Sequence, residues 1–251
     1  MPALWLLSVS VRPAYALFEP SLIPPAIDLS AYGKVLRSSA FRAGVLNSLL
    51  VASCVTVIAV IAGLLAAYGL SRFRSRATRA LLGGMLAPKM FPPILLAISY
   101  FAVFTSLGLY DTPWAVVLAN VSGILPFTVW TLFNYLDTIP RELDEAAFVD
   151  GASKFRTLVS VVAPSALPGL VAISVYAFVL AWNEFLFGYL FLVTPARQVT
   201  TVYIAGFIGQ FQTDYRMMIA STVLFSMPLV VIFLSVQRGL VKGLTAGAVK
   251  Q

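Results

Sequence analysis

Five stretches of the chain stay apolar over the roughly 20 residues a helix needs to cross a bilayer. They run Val45–Leu70, Ala80–Leu109, Trp114–Leu136, Leu167–Val193 and Met217–Val236, with short polar segments between them. Lipid offers no water to an open backbone, so each is expected to be a helix. A shorter run, Ala3–Val11, holds nine residues and would reach only about 14 Å as a helix, half a membrane. It has neither the basic n-region nor the small-residue cleavage site of a signal peptide. It therefore reads as the outer half of a first span whose beginning is missing from this sequence. Prolines predict breaks at Pro88, Pro92 and Pro93 in one span, at Pro126 in the next and at Pro228 in the last. Gly63 and Ala67, four residues apart, predict close contact with a neighbouring helix.

The lysines and arginines between the runs set the orientation. Ser71–Arg79 carries Arg72, Arg74, Arg76 and Arg79 and no acid, which marks it as cytoplasmic. Alternation then places Asp137–Ala166 and the C-terminal tail inside as well. Arg141, Lys154, Arg156, Arg238, Lys242 and Lys250 join the inside set, making ten; six lie outside (Arg12, Lys34, Arg37, Arg42, Arg197 and Arg216), and Lys89 lies within a span.

Composition agrees with this pattern. Hydrophobic residues make up 60% and charged residues 11% of the chain, whereas a soluble domain needs about a quarter charged. The net charge of +7 is spread between apolar runs rather than along one basic face, which argues against nucleic acid. The single cysteine, Cys54, excludes an intramolecular disulfide, and the lack of histidine excludes a His-based triad or His-ligated metal. No Gly-x-x-x-x-Gly-Lys-Ser/Thr loop occurs, nor a Gly-x-Ser-x-Gly elbow or Ser-x-x-Lys pair. The chain is thus not expected to be an enzyme, and any energy source must be a partner subunit or an ion gradient.

The segment 137–165 is the least apolar stretch on the inner side. Pro140 suits a helix start, and Glu142, Asp144 and Glu145 crowd the first turns, where the helix dipole favours anions. Gly151 is placed to end that helix with a left-handed cap, and Ser153 to cap a second one carrying Lys154 and Arg156. Ala146 and Ala147 predict a low-relief surface for another protein to pack on. A solvated amphipathic loop is the plainer reading of the same residues.

The spacing is more specific than that plainer reading. Glu145-Ala146-Ala147 is followed after three residues by Gly151, and after nine more by Val161, one residue and Ala163-Pro164. This resembles the signature loop of ABC importer permeases, which usually ends in Ile-x-Leu-Pro. The resemblance extends over about Phe41–Gln251. It takes in Asn47-Ser48, Ala66-Ala67-Tyr68-Gly69-Leu70-Ser71-Arg72-Phe73, Met90-Phe91-Pro92 and Ile139-Pro140-Arg141-Glu142-Leu143. It continues through Ala181-Trp182-Asn183-Glu184-Phe185 to Gly243-Leu244-Thr245-Ala246-Gly247-Ala248-Val249-Lys250. Together these are similar to the carbohydrate branch of the family.

The resemblance implies an all-α membrane protein, a polytopic helical bundle of six spans in the family and here five full spans plus a truncated first one. Residues 1–40 would hold the truncated span and an external loop, 41–237 the permease domain with its coupling loop at 137–165, and 238–251 a cytoplasmic tail. Glu145, Ala146, Ala147, Gly151 and Pro164 would form the element docked on a partner ATPase. The implied function is the permease subunit of a binding-protein-dependent carbohydrate importer in a bacterial or archaeal plasma membrane. Its implied partners are a homologous permease, two ATPase copies and an extracytoplasmic sugar-binding protein; ATP would be bound by the ATPase, leaving this chain without a cofactor. A permease for glycerol phosphate or a polyol, or an ion-coupled carrier using Lys89 and Glu184, are the alternatives.

Charge inside a span usually faces a cavity or a partner. Lys89 is compatible with pathway lining, with pairing to another subunit, or with snorkelling. Trp182, Asn183 and Glu184 join an aromatic, an amide and a carboxylate, a set suited to a sugar; an interfacial aromatic beside a solvated acid is the structural alternative.

Overall fold

The structure, a computed structural model, describes residues 2–73, 75–209 and 213–248. Arg74 and Lys250, counted above among the inside charges, lie outside the described residues, as do Val249 and Gln251. The described chain is helical. An isolated bridge between Ile208 and Thr213 is the one extended pairing among those residues.

A short helix, α1 (Pro2–Ser10), and α2 (Ser30–Arg37) precede α3 (Ser39–Arg72). At 34 residues α3 is about 51 Å long, more than the hydrocarbon thickness, so its ends reach past the lipid core. The Ser38 hydroxyl caps it by accepting from the Phe41 amide at 3.3 Å. Next come α4 (Arg76–Leu86), a 3₁₀ turn at Ala87–Met90, α5 (Pro93–Ser106) and α6 (Pro113–Asp137). The segment after α6 holds α7 (Glu142–Val149), α8 (Lys154–Thr157), a π turn at Leu158–Val162 and α9 (Ala163–Ser165). Then follow α10 (Leu167–Trp182), α11 (Leu186–Phe191), α12 (Thr200–Ala205) and α13 (Tyr215–Ala248).

Among the described residues three helices are long and apolar enough to cross a membrane alone: α3, α6 and the Tyr215–Gln237 part of α13. Two bent helix pairs pass the same test only when taken together, which makes up to five spans if each pair counts as one. Arg76–Met90 meets Pro93–Ser106 at 97°, and Lys154–Ser165 meets Leu167–Trp182 at 82°. The expected span Ala80–Leu109 is therefore sharply broken, because Phe91 and Pro92 are held extended before successive prolines. The expected span Leu167–Val193 stops at Trp182, where Asn183, Glu184 and Phe185 interrupt the helix. Pro126 and Pro228, by contrast, do not break α6 or α13, which run through them. Neighbouring helices and local adjustment can absorb one missing amide inside a membrane bundle. Likewise α13 continues without interruption into the expected tail.

α3, α6 and α10 form the centre. One apolar cluster joins Val51, Val55 and Ala59 of α3 to Val116 and Ala119 of α6 and to Ala177 and Trp182 of α10. A second joins Ala67 and Tyr68 to Leu132, Leu136, Leu158, Val162 and Ile173, so the segment after α6 is packed into the bundle's end. At the opposite end of α6, Asp111 ties two loops together. Its carboxylate accepts from the Val193 and Thr194 amides at 2.9 and 3.0 Å and pairs with Arg197 at 3.2 Å. The Thr194 hydroxyl and amide, with Val193 and Arg197, hold the Asp111 carboxyl below its usual range.

The close approach predicted at Gly63 is present: a Cβ there would lie 2.6 Å from Thr128 Cγ2 of α6. Gly69, two turns along the same helix, has nothing within 4 Å of that position. Gly63→Ala is expected to lower stability by about 1–3 kcal/mol through overpacking, and Gly69→Ala to be neutral or mildly stabilising. Thermal unfolding of the two variants in detergent checks this difference.

Candidate functional site

The segment between α6 and α10 forms two short helices joined by a glycine turn. In α7 the carboxylates Glu142, Asp144 and Glu145 occupy the first turn, as the dipole favours. The helix ends in a Schellman motif: the Ala152 amide donates to the Ala147 carbonyl at 2.9 Å and the Gly151 amide to Phe148 at 3.0 Å. Gly151 takes φ +81°, as the sequence predicts, and nothing lies within 4 Å of a Cβ placed there. Glycine is thus required by backbone conformation and not by crowding. Ser153 caps α8 through the Arg156 amide at 3.3 Å. The π turn comes just before Pro164, which has no amide hydrogen to continue an α ladder. Together α8, the π turn and α9 lie across the end of the bundle, almost perpendicular to α10.

Asp144 fixes this element to the bundle. It is only 4% exposed. Its carboxylate accepts from the Tyr68 hydroxyl at 2.7 Å and pairs with Arg72 Nη2 at 2.5 Å. The Arg72 guanidinium lies 5.3 Å from the centre of the Tyr68 ring, and Arg141 Nη2 donates to the Ser71 carbonyl at 2.7 Å. Residues Tyr68 to Arg72 at the end of α3 therefore grip both the start and the first turn of α7. Sequence reasoning missed this network. Its signal was a pair of spacings: Tyr68 and Arg72 are four apart on α3, and Asp144 and Ala147 are three apart on α7, so each pair shares a face.

That geometry corrects one of the expected docking residues. Ala147 is buried with Asp144 and is not part of an outer surface. The opposite side of α7 presents Glu142, Glu145, Ala146 and Val149, the last 88% exposed. Pro164 is exposed on α9.

The four candidate pathway residues do not form one site. Trp182 is 1% exposed, stacks on Phe225 at 4.8 Å and donates Nε1–H to the Phe225 carbonyl at 3.1 Å. It is a core residue joining α10 to α13, so its ring, one of the candidate pathway groups, is not open to stack on a sugar. Asn183 donates to the Val179 carbonyl at 2.8 Å, closing the end of α10. Glu184 accepts from the Phe187 amide at 2.7 Å and so caps the start of α11. Lys89 differs. It sits at the 3₁₀ corner with Nζ 4.9 Å from the Phe127 ring centre, and it lines a cavity of about 260 Å³ between that corner and α6. Tyr100 of α5 and Ser122 of α6, hydroxyls 2.7 Å apart, also line it.

Residues 59–246 match the family of binding-protein-dependent transport system inner membrane components. This chain belongs to that family. It is 34% identical over 252 residues to the trehalose transport system permease protein SugB of Mycobacterium tuberculosis (strain CDC 1551 / Oshkosh), covering 100% of this chain and 92% of the relative. It is 33% identical to the trehalose/maltose transport system permease protein MalG of Thermococcus litoralis, over 99% of this chain and 91% of that one. A chain in the crystal structure of a bacterial ABC transporter involved in the import of alginate superposes with a TM-score of 0.81 at 23% identity. That match covers 94% of this chain and 89% of the other, so the fold is that of an ABC importer permease. The protein is thus a permease subunit and not itself an enzyme.

Within the permease, Asp144 and Arg72 form a largely buried pair whose members depend on each other. Asp144→Leu should lower stability by about 3 kcal/mol or more, because it leaves the Arg72 cation uncompensated. Adding Arg72→Met should recover a large part of the loss. Thermal unfolding of the single and double variants measures the coupling.

Proposed function

We propose that this permease is one of two homologous membrane subunits of an ATP-driven carbohydrate importer. Residues 141–164 would be the element that docks in a groove of the ATPase. The carbohydrate assignment rests on the relatives named for trehalose and for trehalose and maltose, which match over nearly the whole chain. The docking assignment rests on one observation: a glycine-capped helix is locked to the end of α3 by Asp144, Arg72 and Tyr68, while its other face stays outward. A helix so held can act as a lever, since force on its outer face reaches α3 directly. Glu142 and Glu145 on that face suit a basic groove. Two ATPase copies would supply ATP binding, and an extracytoplasmic binding protein would deliver the sugar. The Lys89 cavity, at the corner of the bent span, is the part of this chain best placed to line the pathway with the second permease.

Gly151→Val puts a β-branched residue at φ +81°, at a cost of about 1–2 kcal/mol in backbone strain. It should re-aim α7, and Gly151→Asn should be milder, because asparagine tolerates this conformation. Trehalose or maltose uptake by the assembled importer in proteoliposomes should fall at least tenfold for Gly151→Val and for Glu145→Lys at normal membrane abundance. Normal uptake by both would show that the segment is only a linker.

The same reading puts the Arg72 end of α3 and the C-terminus in the cytoplasm. A cysteine-accessibility tag after Arg76 should report cytoplasm and one after Asp111 the exterior. The reverse result would overturn the orientation.

A further inference from the structure

We propose that the cavity between the end of α3 and the α7–α8 turn binds an anionic phospholipid of the surrounding leaflet. The cavity measures about 510 Å³, within the range of small-ligand sites. Leu65, Phe73, Phe148, Phe155 and Leu158 give it apolar walls. Arg72, Arg141 and Lys154 also line it, against the carboxylates of Asp144 and Glu145. Asp144 is already taken up by Tyr68 and Arg72. Arg72 uses Nη2 on that contact and its Nε and Nη1 are buried, so it contributes charge behind the wall and not an open donor. Lys154 is exposed at the start of α8. Cationic groups thus stand beside apolar rings, a combination that fits a phosphate joined to hydrocarbon and not a free anion.

The position of the cavity supports the same ligand. Val57, Ile61 and Leu65 are exposed on α3 at four-residue spacing, and Gly69 and Phe73 continue the line. This apolar stripe runs along a spanning helix and ends in the cavity. An acyl chain lying on the stripe brings its headgroup to the exposed Lys154, with the Arg72 and Arg141 charges close behind it, where the helix leaves the lipid. Basic pockets at the cytoplasmic ends of spanning helices attract anionic headgroups on electrostatic grounds. The inference rests on the proposed cytoplasmic position of the Arg72 end. It does not depend on α7 driving transport.

The test uses the full chain in nanodiscs holding phosphatidylglycerol and phosphatidylcholine in both leaflets, so that orientation does not affect the result. A diazirine-bearing analogue of each lipid is photolysed, and adducts are mapped by mass spectrometry. Phosphatidylglycerol adducts should concentrate on residues 57–73 and 154–158 and exceed those of phosphatidylcholine there. Lys154→Gln should lower that preference about fivefold, the weight of one basic residue at an anionic surface, while Lys34→Gln, the same charge change on α2, should leave it unaltered. Leu65→Trp, which fills the cavity without touching a charge, should lower the adduct yield of both lipids at these residues. Equal labelling by the two lipids, adducts mapping elsewhere, or displacement of phosphatidylglycerol by millimolar inorganic phosphate alone would each overturn the proposal. Failure here with normal effects of Gly151→Val on uptake would remove the lipid site and leave the coupling role standing.

Discussion

A backbone in lipid has no water to bond to, and the architecture follows from that requirement. The long stretches become helices, and the chain leaves helical geometry at proline-rich corners and at the ends of the bundle. The 97° corner between α4 and α5 is the sharpest departure. Successive prolines remove its amides, and the corner lies against α6, with Lys89 over the Phe127 ring. The 82° bend before α10 is different in kind, because it turns the chain from the face of the bundle into its axis. A buried Ala166 sits at that turn, packed with Val162 and Leu158 against the ends of α3 and α6.

The ion pair at the end of α3 gives the outer segment its fixed aim. Two short helices outside a bundle would ordinarily move independently of it, since eight residues of helix bury little apolar area. Here Asp144 is removed from water and bonded to Arg72 and Tyr68, so pulling the segment away from α3 would break a buried ion pair. Arg141 adds a second tie to the same turn of α3 through the Ser71 carbonyl. The contact therefore joins the membrane helix to the segment outside it more tightly than packing alone would.

Large apolar surfaces remain outside these contacts, along α3 and around Met90 and Phe91. Lipid accounts for the first where the stripe ends among cations. The second surrounds the corner of the bent helix pair beside the Lys89 cavity, the face on which the proposed second permease would complete a pathway.

Periodicity and spacing by themselves determined the membrane class, the number of apolar stretches and the two-helix segment with its turn at Gly151. These are local properties: hydrocarbon length selects the runs, and a left-handed backbone at one position selects glycine. The signature spacing from Glu145 to Pro164 also identified the family without any coordinates. Which side of each helix meets which neighbour is not local, and there the sequence gives weaker guidance. Trp182 beside Asn183 and Glu184 looks like a sugar site in one dimension. In three, Phe225 stacks on it from α13 and the other two residues close helix ends. Ala147 reads as surface until Asp144, on the same face, is found paired with Arg72, 72 positions earlier in the chain. Only tertiary packing could decide these cases, because burial of a residue depends on the partner that covers it, and that partner lies far away in sequence.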